Sequence, residues 1–331
     1  MAEALKKIQK IGVYTSGGDS PGMNAAIRAV VRSSVYYGLT VSGIYRGYEG
    51  MIENDIIDEM DVRSVNQILQ KGGTILESAR CEEFRTPEGR LKAYKNLKAR
   101  KIDALVAIGG NGTFTGAELL SKEHGIPIIG IPGTIDNDLN GTDYTVGFDT
   151  ATNTAISAVD NIRNTAMSHN RLFFVEVMGR NSGFIAANTG LASGAVDILI
   201  PEREGSIDAI VEKLEKGRLR KKTSSIVVVA EGCKLGSTAD IAQQVCKKMN
   251  YFDAKVTILG HIQRGGNPTS FDRILASRLG VAAVEGLIAG KKNVMAGLIK
   301  NEVVYTSFED AIIEKDYVDE EVLRVANILS I

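Results

Sequence analysis

Short apolar runs alternate with stretches of helical period along most of the chain. Eight such runs predict buried strands, at residues 11–14, 41–45, 104–108, 126–132, 171–177, 196–200, 225–230 and 255–260. A helix is predicted to follow the glycine loop at 15–22, and further helices are predicted at 91–100, 114–122, 151–164, 206–220, 240–248 and 272–287, with one or two more after 305. This alternation predicts an α/β fold with doubly wound, largely parallel sheets.

Three strands of the N-terminal half end in segments rich in glycine and small polar residues, at 15–22, 109–113 and 133–138. In the first, Asp19 or Ser20 is expected to cap the following helix and Pro21 to lie in its first turn. A glycine loop between a strand and a helix start presents backbone N–H groups to a phosphate. The segment at 15–22 lacks the Gly-Lys-Ser/Thr ending of a Walker loop. The pattern predicts a phosphate-binding cleft at the carboxyl edge of the sheet.

The third of these segments carries two carboxylates, Asp136 and Asp138, directly after the run at 126–132. Near neutral pH both would be ionised, so either could accept a proton or help to hold a hard cation. A polar turn is the simpler alternative, because Asp-Asn-Asp is ordinary turn chemistry.

The remaining strand ends carry basic residues. They are Arg171, Arg180, Lys255, His261 and Arg264, with Glu231 as a lone acid among them, and Arg80 follows a Gly-Gly-Thr turn in the first half. Each alone is compatible with a solvated surface, but their recurrence at strand ends in a chain of net charge -1 indicates one anionic, phosphorylated ligand.

Length and composition limit the other classes of function. At 331 residues the chain is long enough for two domains, and its 44% hydrophobic and 24% charged residues are typical of a globular protein. Without a basic excess, a nucleic-acid or membrane-surface binder is not expected. Three cysteines without paired or metal-type spacing, and no signal-like or spanning apolar segment, favour a cytoplasmic setting.

Four motifs together resemble ATP-dependent 6-phosphofructokinases of the bacterial type. They are GGDSPGMNAAIR at 17–28, GTIDND at 133–138, MGR at 178–180 and GHIQRGG at 260–266. The resemblance covers nearly the whole chain in order. It implies two Rossmann-like lobes with the active site in the cleft between them, a larger ATP-binding lobe at 1–146 and 262–312 and a smaller fructose 6-phosphate-binding lobe at 147–261 and 313–331.

The resemblance also implies residue roles. Asp136 would take the proton from the sugar hydroxyl, Thr134 would lie beside the transferred phosphoryl group, and Arg180 completes the catalytic set. ATP would be held by Gly18, Arg80, Cys81, Gly110, Asn111, Gly112 and Thr113. Magnesium would lie near Asn111 and Asp138. Fructose 6-phosphate would be held by Thr134, Ile135, Asp136, Met178, Gly179, Arg180, Glu231, His261, Ile262, Gln263 and Arg264.

The resemblance further implies a homotetramer with shared sites, in which Arg171 and Lys255 reach the sugar phosphate of a neighbouring subunit. An effector site would comprise Arg28, Arg32, Arg163, Arg220 and Lys222. Val62 and Val196, however, stand where the family usually has an arginine and a metal-binding glutamate, which argues against control by ADP or phosphoenolpyruvate.

Other departures bear on the reaction. Asn111 stands where the family usually has an aspartate that helps to place magnesium, so weaker metal binding or slower turnover is expected. Lys255 replaces an arginine, which exchanges a planar fork for a point charge. Pyrophosphate-using members fill two small positions with an aspartate and a lysine; Gly112 and Gly133 occupy those positions here and favour ATP.

The sequence therefore predicts a glycolytic kinase that transfers the γ-phosphoryl group of ATP to the 1-hydroxyl of fructose 6-phosphate with Mg²⁺. Two alternatives stay open: a pyrophosphate-dependent phosphofructokinase, and a sugar-phosphate-binding regulatory subunit that has lost catalysis through Asn111.

Overall fold

The computed structural model describes residues 8–57, 59–169, 171–220, 225–249, 253–313, 315 and 318–330. The chain divides into two compact units. Unit 1 comprises Met1–Thr134, Leu139–Asp149 and Arg264–Glu314, and unit 2 comprises Ile135–Asp138, Thr150–Gln263 and Lys315–Ile331.

Unit 1 is built on a seven-stranded sheet. Its strands are β1 (Lys10–Thr15), β2 (Thr40–Ile44), β3 (Ile56–Ile57), β4 (Ala104–Gly109), β5 (Ile128–Pro132), β10 (Val294–Ile299) and β11 (Glu302–Ser307). Their order is β11-β10-β5-β4-β1-β2-β3, and all neighbours are parallel except the outermost pair on each side.

Helices cover both faces of this sheet. They are α1 (Met23–Tyr36), α2 (Tyr48–Glu53), α3 (Pro87–Ala99), α4 (Asn111–His124), α9 (Ser270–Ile288) and α10 (Phe308–Ala311). Alternate residues of β4 enter two separate cores: Val106 packs with α1 and α9, whereas Leu105 packs with α3 and α4. Burial on both faces explains why the strand is apolar throughout and does not alternate.

Unit 2 has a four-stranded parallel sheet in the order β7-β8-β6-β9. The strands are β6 (Leu172–Val177), β7 (Asp197–Leu199), β8 (Ser225–Ala230) and β9 (Ala254–Ile258). Its helices are α5 (Phe148–His169, whose first two residues belong to unit 1), α6 (Phe184–Ala192), α7 (Ile207–Leu219), α8 (Thr238–Lys248) and α11 (Glu320–Leu329). The predicted α/β class with largely parallel sheets is confirmed.

Several predicted details are wrong. Helix α1 begins at Met23 after Gly22, whose φ of 113° only glycine adopts readily, so Asp19, Ser20 and Pro21 precede the helix. The hydroxyl of Ser20 donates to the carbonyl of Val146 at 2.8 Å and therefore does not cap α1.

Two helix boundaries and three strands also differ from prediction. Helix α4 begins at Asn111 and not at 114, and α5 continues to His169, so that Arg163 lies inside the helix and not in its last turn. Strands β3, β10 and β11 were not predicted. Within the described residues, no helix combines the length and hydropathy that a membrane span requires.

Candidate active site

Three glycine-rich strand exits meet at one edge of the unit 1 sheet. Strand β4 lies between β1 and β5, and all three run parallel, so their carboxyl ends are neighbours. The loops also touch: the Thr113 hydroxyl donates to the carbonyl of Ser16 at 3.0 Å. A Cβ added to Gly109 would lie 2.5 Å from that carbonyl, so glycine is required for this approach.

Helices α1 and α4 start at this edge without a side-chain cap. Their N-caps are Gly22 and Gly110, whereas α3, α9 and α10 in the same unit are capped by the hydroxyls of Thr86, Thr269 and Ser307. A helix start without a side-chain acceptor directs first-turn N–H groups and the positive end of the dipole toward an anion. The predicted nucleotide residues Asn111, Gly112 and Thr113 form the first turn of α4.

A buried pair of tyrosines is hydrogen bonded to the first turn of α4. The Tyr48 hydroxyl donates to the carbonyl of Thr113 and accepts from the Tyr14 hydroxyl at 3.0 Å. Burial raises the pKa of both tyrosines, so both stay protonated as donors at neutral pH. Phe84 stacks on Tyr48 with ring centroids 3.9 Å apart. No local pattern in the sequence marks Tyr48, because its partners are distant along the chain.

The segment that carries Arg80 and Cys81 is tied to the first glycine loop. The Ser78 hydroxyl donates to the carbonyl of Gly17. Arg80, which is exposed, follows Ser78 by two residues and therefore starts close to that loop. Cys81 packs against the core on the α3–α4 face, and burial raises the pKa of its thiol, so the thiol is an apolar contact and not a nucleophile at neutral pH.

Two other predicted residues lie in this half of the site. A Cβ added to Gly110 would touch the Thr134 side chain at 3.4 Å, so Thr134 lies beside the start of α4. Arg264, predicted to hold the sugar phosphate, belongs to unit 1, and a Cβ added to Gly18 would lie 2.5 Å from its Nη1. Arg264 is therefore next to a predicted nucleotide residue.

In unit 2, the two aspartates of 133–138 are buried. Asp136 is 6% exposed and Asp138 is 8% exposed. The Ser182 hydroxyl donates to the main-chain carbonyl of Asp136 at 2.7 Å, and the Lys315 N–H donates to that of Asp138 at 3.1 Å. These bonds fix the backbone of the stretch that carries both carboxylates. Ser182 was missed from the sequence, although it lies two residues after the MGR motif.

The MGR loop follows β6 and is hydrogen bonded to two predicted sugar-binding residues. Gln263 accepts from the Met178 N–H at 3.0 Å, and Glu231 accepts from the Gly179 and Arg180 N–H groups at 3.2 and 2.7 Å. The Arg180 side chain is exposed.

The other predicted sugar-binding residues lie at opposite ends of the unit 2 strands. Arg171 and Lys255, at the starts of β6 and β9, share the carboxylate of Asp253 at 3.6 and 2.9 Å. His261 and Ile262 are exposed in the short 3-10 turn Gly260–Gln263 that follows β9. The two cations predicted to act together are thus neighbours.

The predicted effector residues are spread over both units. Arg28 and Arg32 line a groove of about 350 Å³ on α1 and α9. In unit 2, Arg163 donates to the Ser193 carbonyl, Arg220 is exposed at the end of α7, and Lys222 lies outside the described residues. Val196 is 3% exposed in the unit 2 core, and its side chain has no oxygen to offer a metal.

Two of the predicted metal residues, one in each unit, carry oxygen donors. Asp138 offers a carboxylate and Asn111 an amide oxygen, both hard donors. The described part of the chain contains no group of three His, Cys, Asp or Glu residues suited to holding a metal. Mg²⁺ commonly binds through one or two protein oxygens plus substrate phosphates, so either residue by itself suits an ion that a nucleotide brings with it.

The phosphofructokinase family model matches residues 10–287. The chain belongs to the phosphofructokinase family. Among curated relatives, the ATP-dependent 6-phosphofructokinase of Cytophaga hutchinsonii is 53% identical over 98% of both chains. ATP-dependent 6-phosphofructokinase 1 of Thermus thermophilus is 54% identical over 98% of this chain and 100% of its own length.

Solved phosphofructokinase structures share the fold. The phosphofructokinase of Saccharomyces cerevisiae matches with a TM-score of 0.86 and 37% identity, over 92% of this chain and 45% of that chain. The present chain thus spans less than half of that longer yeast chain. A pyrophosphate-dependent phosphofructokinase from Nitrosospira multiformis matches with a TM-score of 0.84 at 22% identity, a likeness of fold alone.

Proposed function

We propose that this chain is an ATP-dependent 6-phosphofructokinase, which transfers the γ-phosphoryl group of ATP to the 1-hydroxyl of fructose 6-phosphate and releases ADP and fructose 1,6-bisphosphate. The observation that carries the proposal is the start of α4, where a glycine N-cap and an open position at Gly112 leave room for a nucleotide phosphate. Relatives more than 50% identical over nearly the full chain carry the same name.

In this proposal unit 1 contributes the nucleotide residues. First-turn N–H groups of α4 and the glycine loop after β1 would meet the phosphates, with Arg80 and Arg264 as neighbouring cations. Phosphoryl transfer needs positioning and charge neutralisation more than covalent catalysis, and N–H donors with arginines supply both.

Unit 2 would contribute the base and the sugar residues. Asp136 would take the proton as the 1-hydroxyl oxygen forms its bond to the γ-phosphorus, while the bond from that phosphorus to the ADP oxygen breaks. The P–O electron pair leaves with ADP, so atoms and charges balance. Arg180 would neutralise phosphate charge, and its planar fork suits that task.

Magnesium would be held by Asp138 and Asn111 together with the nucleotide. When bound, it neutralises charge on the phosphoryl oxygens. Because an amide carries no charge, Asn111 is expected to give a higher Mg²⁺ requirement than an aspartate.

Gly112 and Gly133 also support ATP over pyrophosphate as donor. A Cβ at position 112 meets nothing within 4 Å, so the space beside α4 is open. A Cβ at position 133 would lie 3.0 Å from Ile108 and 3.2 Å from Met23, so a lysine there would require core side chains to shift. A cytoplasmic location and a homotetramer with shared sites belong to the same proposal.

The test supplies ATP and pyrophosphate separately, with Mg²⁺ and fructose 6-phosphate, and follows fructose 1,6-bisphosphate. Product from ATP alone is expected. Product from pyrophosphate alone would establish the pyrophosphate-dependent alternative.

Asn111 motivates the remaining alternative, a regulatory subunit without catalysis. Tight fructose 6-phosphate binding with no turnover for the pure protein, and turnover gained by Asn111→Asp, would establish it.

A further inference from the structure

The loop that carries Arg180 is held from both sides by residues of neighbouring strands. Strand β6 lies between β8 and β9, and the loop leaves its carboxyl end. Gln263, after β9, accepts from the Met178 N–H, while Glu231, directly after β8, accepts from the Gly179 and Arg180 N–H groups. Three consecutive amides are therefore bound by two side chains.

The backbone of this loop has the shape of an anion site. Arg180 has φ of 51° and Gly179 has φ of 142°, both in the left-handed half of φ space. Successive N–H groups in such turns converge and form a concavity that binds anions. Here a single oxygen, Oε1 of Glu231, accepts both N–H groups, so the protein's own carboxylate occupies the concavity.

Gly232 completes the contact on the other side of the loop. A Cβ added to Gly232 would lie 2.1 Å from the Arg180 carbonyl oxygen and 3.2 Å from its carbon. Both are backbone atoms, so a larger residue at 232 must displace the Arg180 backbone. We name Glu231 and Gly232 the Arg180 seat. Glu231 accepts the hydrogen bond from the Arg180 N–H, and Gly232 lies against the Arg180 carbonyl.

We propose that the Arg180 seat sets the otherwise unfavourable backbone of Arg180 before the sugar phosphate binds, and that Glu231 acts in sugar-phosphate binding as a positioning residue, through Arg180. The inference rests on the proposed function, in which Arg180 binds the sugar phosphate. It gives Glu231 a role in addition to the direct sugar contact that the family resemblance implies.

The first test compares Glu231→Ala with Glu231→Gln. The amide oxygen of glutamine can still accept both N–H groups, whereas alanine leaves the concavity empty. We expect the KM for fructose 6-phosphate to rise about 10- to 100-fold in Glu231→Ala, as for loss of a charged hydrogen-bonding partner, and clearly less in Glu231→Gln. The KM for ATP should stay within about twofold in both variants, because the seat belongs to the sugar half.

The second test is chemical rescue. Formate is a small carboxylate that fits the space vacated in Glu231→Ala, so adding it should restore much of the lost affinity for fructose 6-phosphate. Sodium chloride at equal ionic strength should not. Glu212→Ala, an exposed glutamate of α7 paired with Lys216, is the matched control and should show neither defect nor formate effect.

Gly232→Ala provides an independent variant that keeps the carboxylate. It should weaken fructose 6-phosphate binding through displacement of Arg180, and formate should not rescue it because Glu231 still fills the concavity. Thermal unfolding of each variant checks that the fold is intact. If Glu231→Ala does not fold, the affinities of Glu231→Gln and Gly232→Ala for fructose 6-phosphate are compared with wild type in its place.

The outcomes separate the two proposals. A wild-type protein with no turnover of ATP and fructose 6-phosphate overturns the proposed function, and the role of the seat with it. An active wild type in which glutamine and alanine at 231 are equally impaired, or in which formate and chloride act alike on Glu231→Ala, overturns the seat alone. Graded defects with formate-specific rescue support it.

Discussion

At the scale of single residues, the proposed chemistry divides between a buried carboxylate, which would act as the base, and an exposed guanidinium. Asp136 is 6% exposed and its backbone is fixed by Ser182, which suits a group that must meet one hydroxyl in one geometry. The Arg180 side chain is exposed, while its backbone is held by Glu231. Because the described residues include no ion-pair partner of Arg180, its side chain can reach an incoming phosphate without first leaving one of them.

Arg180→Ala should therefore chiefly weaken sugar-phosphate binding. Loss of a charged, two-pronged phosphate contact is expected to raise the KM for fructose 6-phosphate about 10- to 100-fold. Arg180→Lys keeps the charge and loses the planar fork, so it should lie between wild type and alanine. Initial rates at varied fructose 6-phosphate measure this, and an unchanged KM in Arg180→Ala would rule out the assignment.

At the scale of elements, strand exits and helix starts position the site. Most of these elements could be predicted from the sequence, because strands buried on both faces form continuous apolar runs. The hairpin of β10 and β11 was missed. Its two turn residues, Lys300 and Asn301, have φ of 49° and 67°, a conformation whose usual signal is Asn-Gly, and a lysine in the first position conceals it.

The start of α4 was also misplaced, and this affects the site directly. Two glycines flank Asn111, which favours a loop by propensity, yet the structure includes Asn111 and Gly112 in the first helical turn. Tertiary contacts outweigh propensity here: the Thr113 hydroxyl bonds to Ser16 and its carbonyl accepts from Tyr48. Such long-range partners cannot be inferred from local pattern.

Gly112→Asp tests the role assigned to the α4 start. The position is open, and an acid in the first helical turn is favourable, so the free energy of unfolding should not fall. The carboxylate would nevertheless repel the ATP phosphates, and we expect the KM for ATP to rise at least about 10-fold, with 1.4 kcal/mol of repulsion corresponding to each factor of ten.

Gly112→Ala is the matched control for that substitution, since it adds a Cβ without charge. It should keep ATP affinity and raise thermal stability slightly, because alanine is the better helix former. Unchanged ATP affinity in Gly112→Asp would contradict a phosphate site at the start of α4.

Helices α3 and α4 are joined by an ion pair between a buried arginine and a partly exposed glutamate. Arg90, 4% exposed, donates to both oxygens of Glu123 at 2.7 and 2.6 Å and to the carbonyls of Phe84 and Arg85. The hydrogen bonds from Arg90 lower the pKa of Glu123 below its usual 4.5. Because folding lowers this pKa, the ion pair contributes its full stability to the folded state above about pH 4.5. That contribution is lost as the pH falls through the lowered pKa of the folded state.

Glu123→Gln should consequently reduce the free energy of unfolding by about 1 to 3 kcal/mol at pH 7, because it leaves the Arg90 charge without its counterion. The difference from wild type should shrink as the pH falls below about 4.5, where the wild-type carboxyl also becomes protonated. Denaturant unfolding at several pH values measures both effects. Glu212→Gln, on the exposed surface of α7, serves as control and should change little.

At the scale of the whole molecule, the chain passes between its two units five times. One passage falls between Thr134 and Ile135, inside the GTIDND motif. The residue proposed beside the transferred phosphoryl group and the proposed base thus belong to different units although they are two positions apart. Ser182, Glu231 and Gln263 hold the backbone of the sugar half through contacts distant in sequence, which only the structure could reveal.

The kinetics of Asp136→Ser, with product formed from ATP and fructose 6-phosphate as the readout, show whether Asp136 is the base. A general base acts in the transition state, so kcat should fall about 10²- to 10⁴-fold while the KM for fructose 6-phosphate stays nearly constant. A large loss of sugar affinity with kcat intact would contradict the assignment of Asp136 as the base.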